Sequence, residues 1–539
     1  MKNRMIRMTA ILLAALILLS VAGCAAPAAE IDGPAVLQSL LSQVRFDTEL
    51  SAVKNPELYF PELPEGTSTA LYTGSGYYAD ELALLTLADE RDGQQAMKIV
   101  EEHIGELCSQ FQNYVPEEVP KIDHAVISQY GRYIFVCVTN DYAAAARILE
   151  NADDPTYQLS GRETMPETTT PTVPETTVPT EHSTESSIEP SAPTEPAPTE
   201  TEPEVTEPPT EPEATQPTTE PEVTEPTGYP VLHSKSGKYS DFGNANIRVD
   251  GSVFEEYDYV DSCAQAYADI VNKTAAALDG ETTVYALAIP TAIGIVLPDD
   301  IAAQMPRLCD QGAAIEKLFA KMSGNVVTVN CFDNLMRHRD EYLYFRTDHH
   351  WNGRGAYYAY ETFCQVKGIV PVTLEEREER KFTGFLGSFY QNGSGSKEIL
   401  AENPDTVYAY CPKSGRATMR YTDKKGNTYN WNIISDVTNW KASTKYSTFA
   451  GADNPIAVFT NPDVTDGSVC VIVKESYGNA LLPYLVDHYS TIYEIDYRYW
   501  TGSLVDFARE KDADDLIFAN NLSMIRSNLL IGKLAGIAG

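Results

Sequence analysis

The sequence contains no Cys-x-x-Cys pair and no cluster of ligands with the spacing of a structural zinc site. Its nine cysteines are dispersed along the chain, and Cys331 and Cys470 lie within apolar runs. Such positions are typical of buried thiols that behave as small hydrophobic side chains. A disulfide is compatible with an exported protein, but the spacing fixes no pairing. We therefore predict neither a metal ion nor an organic cofactor.

Positive charge is scarce, with 40 Lys and Arg residues against 77 Asp and Glu residues and a formal net charge of -37. Residues 163–225 contain 16 Glu and no Lys or Arg, so this window alone supplies 16 of the 37 net negative charges. The rest of the chain is acidic but not unusually so. An acidic surface repels nucleic acid and anionic lipid headgroups, so neither is a predicted partner.

The N-terminus lacks an apolar run long enough for a permanent membrane span, because the run at residues 11–21 is too short. A basic segment precedes it, as in a secretory signal. Residues 21–24, Val-Ala-Gly-Cys, resemble the lipobox of bacterial lipoproteins. The resemblance implies that residues 1–23 are a signal peptide and that lipidated Cys24 holds the protein to the membrane outside the cytoplasm. A plain secretory signal is the alternative.

Residues 24–160 mix helical and strand patterns, which predicts a small α+β domain. Residues 94–114 read as a long helix, and residues 124–140 read as a β-hairpin that turns near Tyr130 and Gly131. We find no catalytic grouping in this region. It resembles a domain of unknown function from lipoproteins of Gram-positive bacteria, and the resemblance implies no activity.

Residues 161–228 repeat Thr, Glu and Pro irregularly and have almost no large apolar side chain. Such a segment cannot bury enough apolar surface to offset the entropy of ordering, so we predict a disordered linker. Proline and like charge keep such a linker extended.

Residues 229–539 alternate apolar strand patterns with helical patterns, which predicts an α/β domain with a parallel sheet and helices on both faces. Residues 415–435 read instead as an inserted antiparallel hairpin around residues 425–427. The predicted strands lie at residues 283–291, 325–331, 341–348, 467–476, 490–496 and 514–520, and the predicted helices at 311–322, 332–338, 355–368, 478–489 and 501–511.

Ligands of open α/β sheets bind at the carboxyl ends of the strands. Ser476 occupies such a position, between an apolar strand and a helix. The backbone N–H groups of Ser476 and Tyr477 would be unpaired there, and the helix dipole would favour an anion, so this turn could hold an oxyanion. The alternative is that Ser476 is only a helix N-cap.

Asp348, His349 and His350 follow another predicted strand. Side chains alternate in an extended segment, so Asp348 and His350 share one face and His349 points away. A carboxylate beside an imidazole fixes its tautomer and stabilises the imidazolium, which favours His350 as a base and Asp348 as its orienting group. We expect His349 to pack or to bind a backbone carbonyl. A metal site built from these three residues and a purely structural histidine are the alternatives.

Together these residues suggest a Ser-His-Asp triad. A serine without a base is a weak nucleophile, so the hypothesis requires His350 to lie beside Ser476. A triad is defined by geometry and not by chain order, so the order Asp, His, Ser is allowed.

Residues 229–539 resemble the family named for its Asp-His-His-Trp motif, which falls here on residues 348–351. The segments that also fit are 289–291, 385–395, 474–485 and 495–500. That family is similar to the alginate O-acetyltransferases, which are circularly permuted relatives of the SGNH hydrolases. The resemblance implies a flavodoxin-like sheet and an acyl-serine intermediate. It assigns the Asp-x-His-Trp motif of those enzymes to Asp348, His350 and Trp351, and their nucleophile to Ser476.

The oxyanion donors are less defined, because the Glu-Ser-Tyr turn lacks the Gly-Asp of typical hydrolase serine motifs. The candidates for oxyanion or substrate binding are Tyr477, Asn479, Gly451 with Asn454, Trp351 and Arg498. Gly and Asn also serve as ordinary turn residues, and Arg498 could instead form an ion pair.

We therefore expect a membrane-anchored, extracytoplasmic acyltransferase or esterase of the SGNH type that O-acetylates a cell-envelope polysaccharide. By the same resemblance, a membrane-bound O-acyltransferase could be the partner that supplies acetyl groups. The alternative is a non-catalytic surface lipoprotein that binds glycan.

Overall fold

The structure is a computed structural model. It describes residues 31–74, 78–114, 116–154, 157–159, 228–393, 395 and 397–538. The predicted signal peptide, Cys24 and residues 161–227 of the predicted linker lie outside these described residues. The described parts of residues 1–159 and 228–539 belong to the same structural unit. Within the described ranges, no helix combines the length and the apolar character that crossing a bilayer requires.

The N-terminal region is built on a five-stranded antiparallel sheet in the order β1-β2-β3-β5-β4. The β4–β5 hairpin turns at Gly131, whose φ of 55° suits a residue without a Cβ, and it confirms the predicted hairpin. The strands are β1 (Ser51–Ala52), β2 (Ser68–Thr73), β3 (Glu81–Thr86), β4 (Val126–Tyr130) and β5 (Tyr133–Val138), and the helices are Gly33–Gln43, Gly93–Tyr114, Val119–Asp123 and Tyr142–Glu150.

The long predicted helix of this region is present as Gly93–Tyr114. Its buried apolar side chains recur every three or four residues, so one face of the helix packs into the core while the other remains polar. The buried residues on this face are Ala96, Ile99, Val100, Leu107 and Phe111.

The C-terminal region contains an eight-stranded mixed sheet in the order β10-β9-β18-β16-β17-β15-β13-β14. The first five strands in this order run parallel, and each later strand pairs antiparallel with its neighbour. These strands are β9 (Thr283–Ile289), β10 (Val326–Asn330), β13 (Thr418–Thr422), β14 (Thr428–Trp431), β15 (Ile456–Thr460), β16 (Val469–Lys474), β17 (Thr491–Asp496) and β18 (Asp515–Asn521).

The mixed sheet corrects the prediction of a wholly parallel sheet with a separate hairpin. Strand β15 was not predicted, and it pairs antiparallel with β17. The predicted hairpin, β13–β14, then adds to β15 and becomes the edge of the main sheet. The parallel strands β16 and β18 are buried almost throughout, so both of their faces are covered, as predicted.

The remaining elements of the C-terminal region surround this sheet. Its two small sheets are formed by β6 (Tyr239–Gly243), β7 (Asn246–Val249) and β8 (Ser252–Glu255), and by β11 (Glu379–Phe385) and β12 (Asp405–Tyr410). The helices are Asp261–Ala277, Ala292–Ile295, Asp299–Ala302, Gln311–Phe319, Phe332–Arg337, Gly353–Lys367, Ser388–Asn392, Glu398–Glu402, Gly478–Leu485, Leu504–Glu510, Leu522–Ile525 and Asn528–Ile537.

The predicted strand at residues 341–348 is a turn in the structure and not a strand. Its β-type pairing consists of one isolated bridge between Tyr344 and Trp351. The chain reverses direction between them, and the Phe345 N–H donates to the His350 carbonyl at 3.2 Å. The carboxylate of Asp405 accepts the backbone N–H of Thr347 at 2.8 Å, which replaces the partner that a neighbouring strand would have supplied.

The helix Asn528–Ile537 contributes side chains to the cores of both folded regions. Leu529 of this helix is 1% exposed and belongs to the core of the N-terminal region. At Gly532 the helix lies so close to Tyr59 that an added Cβ would fall 2.3 Å from the Tyr59 ring. The N-terminal region is therefore packed directly onto the C-terminal one.

We expect Leu529→Ala to lower the free energy of unfolding by about 2–5 kcal/mol, because it leaves a cavity where the two regions meet. All four tryptophans lie in the C-terminal region, so tryptophan fluorescence follows that region while far-UV circular dichroism follows both. In urea, the wild type should give coincident transitions with the two probes, and the variant should separate them.

Leu534→Ala is the matched control, because Leu534 lies in the same helix but packs into the core of the C-terminal region. It should destabilise the protein without separating the two transitions. Separate transitions in the wild type would contradict the shared core.

Candidate active site

Ser476 lies at the turn between β16 and the helix Gly478–Leu485, at the carboxyl end of the parallel strands. Its side chain does not cap the helix, since Tyr477 is the N-cap residue and no side-chain capping bond forms. The Ser476 hydroxyl instead lies 2.7 Å from Nε2 of His350. The N-cap alternative is therefore wrong, and the serine meets the base that a nucleophile requires.

His350 is oriented by Asp348. The His350 Nδ1 lies 2.6 Å from Asp348 Oδ1, and the His350 backbone N–H donates to the same oxygen at 3.0 Å. The other carboxylate oxygen accepts the Ser388 backbone N–H at 2.7 Å. This arrangement favours the tautomer with the proton on Nδ1, which leaves Nε2 free to accept from Ser476.

Burial alone would raise the pKa of Asp348, but the charges of His350 and His349 and the hydrogen bonds from His350 and Ser388 outweigh it. The pKa of Asp348 therefore lies well below its usual value. Gly387 is packed so tightly against this carboxylate that an added Cβ would lie 2.2 Å from Asp348 atoms. The close approach explains why a glycine precedes Ser388.

Three further hydrogen bonds hold the turn that carries Ser476. The Trp351 indole N–H donates to the Tyr477 carbonyl at 2.9 Å, and the Tyr477 hydroxyl donates to the His349 carbonyl. The Tyr446 hydroxyl donates to the Ser476 carbonyl at 3.0 Å, and the Tyr446 ring stacks on His350 with centroids 3.9 Å apart. Trp351 is fully buried, so it positions the turn and does not line a substrate cleft.

His349 packs beside the rings of His350, Phe389 and Tyr477, which is one of the two predicted alternatives, and its ring binds a hydroxyl and not a backbone carbonyl. Its Nδ1 lies 2.7 Å from the Ser388 hydroxyl oxygen. Ligating atoms of Asp348, His349 and His350 lie within 4.8 Å of one another, as a metal site would need. However, both ring nitrogens of His350 and both carboxylate oxygens of Asp348 already have hydrogen-bond partners, so a metal ion could bind only by breaking the triad.

Two of the predicted oxyanion donors have other partners. The Tyr477 backbone N–H donates to the buried carboxylate of Glu475 at 2.9 Å. The Asn479 side chain accepts from Lys474 Nζ at 2.7 Å and donates to Asp453 at 2.9 Å. Both predictions are wrong for this state of the protein. The Ser476 backbone N–H, in contrast, has no acceptor among the described residues and is available to an oxyanion.

Arg498 is buried and pairs with Asp496 at 2.6 Å and with Asp453 at 3.0 Å. It is therefore an ion-pair residue of the interior, which confirms the ion-pair alternative over substrate binding. Lys474 belongs to the same network, with Nζ 2.7 Å from Glu494. Burial raises the pKa of Glu494 to about 7, although Lys474 opposes the shift.

Gly451 and Asn454 lie in a loop with unusual backbone geometry. Ala450, Gly451 and Ala452 have consecutive φ values of 48°, 67° and 67°. The left-handed conformation is unfavourable for a residue with a Cβ, so the two alanines store strain next to the site. The Asn454 side chain donates to the Gly451 carbonyl at 3.0 Å, which makes it a turn-forming residue.

The family model described as DHHW protein matches residues 230–495, and the one described as domain of unknown function DUF4358 matches residues 67–139. Residues 230–495 therefore resemble the DHHW family. Both resemblances drawn from the sequence are thereby confirmed. No curated protein matches the chain.

Solved structures also resemble this chain. A DHHW family protein from Eubacterium siraeum is 26% identical, with a TM-score of 0.51, and the match covers 57% of this chain and 99% of that one. Bacillus cereus PatB1 with a sulfonyl adduct is 15% identical, with a TM-score of 0.45 and coverages of 53% and 97%. The O-acetyltransferase domain of Pseudomonas putida AlgJ is 12% identical, with a TM-score of 0.28 and coverages of 55% and 98%.

Sequence reasoning missed the buried charged network near Ser476, which comprises Lys474, Glu494, Asp496 and Asp453 together with Glu475. A signal was present, because Lys474-Glu475 and Asp496 each end a strongly apolar strand. Charged residues at the end of a buried strand need partners, and the neighbouring strand end is the nearest place to find them.

The buried side chain of His349 leads to a prediction about how stability depends on pH. Burial and then the charge of His350 lower the pKa of His349 to about 3 from its ordinary 6.5. Between these values the unfolded chain binds a proton that the folded protein does not, so stability falls as the pH decreases from about 6.5. We expect His349→Asn to reduce this loss by up to about 1.4 kcal/mol per pH unit.

Urea unfolding of both proteins at pH 7, 6, 5 and 4.5 measures this difference. The difference in stability between the two proteins should be constant near pH 7 and should change below pH 6, where the wild type loses stability faster. Parallel curves would show that His349 is not buried in its neutral form.

Proposed function

We propose that this chain is a membrane-anchored, extracytoplasmic Ser-His-Asp acyltransferase or esterase that acylates a hydroxyl of a cell-envelope polysaccharide. The observation that carries the proposal is the 2.7 Å approach of the Ser476 hydroxyl to Nε2 of His350, whose Nδ1 lies 2.6 Å from Asp348. A hydroxyl, an imidazole and a buried carboxylate in this order are the parts that nucleophilic acyl chemistry needs.

In the proposed reaction, Ser476 Oγ attacks the carbonyl carbon of an acyl donor while His350 Nε2 takes the hydroxyl proton. His350 then gives this proton to the departing oxygen as the donor's C–O bond breaks, which leaves an ester on Ser476. An acceptor hydroxyl attacks this ester and gives its proton to His350, and Ser476 recovers a proton as it departs. Water in place of the acceptor gives an esterase.

Asp348 stays ionised through both steps, because its pKa is held low, and it stabilises the imidazolium each time that form appears. The free N–H of Ser476 would donate to the developing oxyanion. The site needs no metal for these steps.

The order of the parallel strands supports a relation to permuted SGNH domains. The order is β10-β9-β18-β16-β17. If the chain were numbered from β16, this order would read 5-4-3-1-2, which is the flavodoxin-like order seen from the opposite edge. We therefore infer a circularly permuted flavodoxin-like half-sheet that three antiparallel strands extend.

The cellular setting of the proposal rests on sequence resemblance. The lipobox at residues 21–24 supports a lipid anchor on Cys24 and a location outside the cytoplasm. The resemblance of the motif to alginate O-acetyltransferases supports acetyl as the acyl group and a membrane-bound O-acyltransferase as the donor-side partner.

The test uses the detergent-purified full chain, p-nitrophenyl acetate and a small sulfonyl fluoride. We expect steady release of p-nitrophenolate that the sulfonyl fluoride abolishes, with one covalent adduct on the peptide that contains Ser476. The activity should survive a chelator. Labelling at another serine, or activity that a chelator removes, would overturn the proposal.

A further inference from the structure

A buried carboxylate lies directly beside the proposed nucleophile. Glu475 precedes Ser476 in the chain and is fully buried. Its Oε2 accepts the Tyr477 backbone N–H at 2.9 Å, and its Oε1 accepts the Asn521 backbone N–H at 2.9 Å. This one carboxylate therefore connects the turn that carries Ser476 with the end of strand β18.

A carboxylate in this position is costly. Burial raises the pKa of Glu475 above its ordinary value, and the hydrogen bond from the Tyr477 N–H opposes the shift. The adjacent Lys474 directs its ammonium group to Glu494, at 2.7 Å. A buried charge loses its hydration, and an apolar side chain of similar volume often gives a more stable protein. Its two backbone contacts, and not a gain in stability, therefore point to what Glu475 does.

The first contact fixes the peptide unit that follows Ser476. The carbonyl oxygen of this unit accepts the Tyr446 hydroxyl at 3.0 Å, and its N–H, which belongs to Tyr477, donates to Glu475. The unit is thus held at its oxygen from one side and at its nitrogen from the other. Because a peptide unit is planar, holding both ends restricts rotation of the Ser476 backbone and sets the direction of Oγ.

The second contact ties the turn to the middle of the main sheet. The ladder between β16 and β18 ends at the pair Lys474 and Ala519. The side chain of Glu475 continues the connection beyond this pair by accepting the Asn521 N–H. Strand β18 also pairs with β9 on its other side, so the turn is anchored to a strand that neighbours support on both edges.

We infer that Glu475 is a positioning residue of the proposed transferase, which holds Ser476 Oγ 2.7 Å from His350 Nε2 through the backbone of the turn. The inference rests on the proposed function and adds a residue outside the triad. Glu475 exchanges no proton in the reaction. A displacement of a reacting group by about 1 Å can cost about 10²-fold in rate. Loss of the Glu475 contacts should therefore slow turnover.

The experiment replaces Glu475 with Gln in the full chain. Glutamine has the same length but offers one acceptor oxygen, and its amide N–H₂ group would face the second backbone N–H. We expect kcat for p-nitrophenyl acetate to fall about 10- to 100-fold. KM should change less than about threefold, because acylation and deacylation both depend on the contact of Ser476 with His350. Labelling of Ser476 by the sulfonyl fluoride should slow similarly.

Glu475→Asp is the conservative variant. An aspartate can accept the N–H two residues ahead, as in an Asx turn, so it keeps the Tyr477 contact. Its side chain is one methylene shorter and gives up the contact with Asn521. We expect this variant to retain at least about a third of the wild-type kcat, because the peptide unit after Ser476 stays fixed. A purely structural role would instead change stability and leave the turnover of the folded protein unchanged.

Asp515→Asn is the matched control. Asp515 is a buried carboxylate at the opposite end of β18, where it accepts the Tyr489 hydroxyl at 2.6 Å. The control should lower the free energy of unfolding in urea and keep the wild-type kcat. Urea unfolding of every variant shows that kinetics are measured on folded protein.

The inference is overturned if folded Glu475→Gln turns over like the wild type, if Glu475→Asp is as slow as Glu475→Gln, or if Asp515→Asn is equally slow. If Glu475→Gln does not fold, Glu475→Asp decides alone, and a kcat below about a third of the wild-type value overturns the inference. The proposed function fails on a different readout, namely a wild type that neither hydrolyses the ester nor gains an adduct on Ser476.

Discussion

Replacing Ser476 with Ala is expected to lower the hydrolysis of p-nitrophenyl acetate by about 10⁴- to 10⁶-fold and to abolish covalent labelling. The variant keeps His350 and Asp348 in place but removes the one atom that can form the acyl bond. Residual activity should come only from the oxyanion site and from substrate binding. Initial rates and intact-protein mass spectrometry after sulfonyl fluoride treatment measure both effects.

Ser503→Ala is the matched control for this variant. The Ser503 hydroxyl caps the helix Leu504–Glu510 by accepting the Asp506 N–H, whereas Ser476 caps nothing. The control should therefore lose about 1 kcal/mol of stability and keep its activity. Ser476→Ala should instead keep its stability and lose its activity. Full activity in Ser476→Ala would show that another group performs the reaction and would reject Ser476 as the nucleophile.

Asp348→Asn is expected to lower the turnover number by about 10⁴-fold with little change in KM. The amide can donate a hydrogen bond to His350 Nδ1, which moves the ring proton to Nε2 and prevents this nitrogen from accepting the Ser476 hydroxyl. The uncharged amide also fails to stabilise the imidazolium. Steady-state kinetics with p-nitrophenyl acetate separate the effect on turnover from the effect on binding.

The same substitution should change the response of stability to acid. A carboxylate with a lowered pKa stabilises the folded protein above its unfolded pKa and loses this contribution as the pH falls through the folded value. Asp348→Asn should therefore be less acid-sensitive than the wild type below about pH 4. Asp436→Asn, at an exposed aspartate, should match the wild type in turnover. Equal turnover in the two variants would exclude Asp348 from the triad.

The proposed triad could be suggested from the sequence because each member lies at a recognisable position, namely a polar residue that follows an apolar run. The sequence could not show that Ser476 contacts His350, because the two residues are 126 positions apart in the chain. It also could not show that Asp405 would accept the N–H groups of Arg346 and Thr347 and thus turn a predicted strand into a loop. Both facts depend on partners that are distant in the chain.

The oxyanion predictions went wrong for a local reason. A helix N-terminus normally leaves its first N–H groups unpaired, so Tyr477 was a reasonable donor. The side chain of Glu475 folds forward and accepts this N–H, and its other oxygen accepts the N–H of Asn521 on the neighbouring strand. Here the contact with the adjacent strand holds the glutamate in this position, and sequence alone does not reveal that strand.

Strand β18 lies between β9 and β16 in the middle of the sheet, although it comes from the last part of the chain. A fragment that ended shortly after Tyr499 would contain Asp348, His350 and Ser476 and yet lack the central strand that supports them. It would also lack Leu529, which completes the core of the N-terminal region. Cleavage by a protease between β17 and β18, followed by loss of the tail, would thus remove the support of the proposed triad without cutting near any of its three residues.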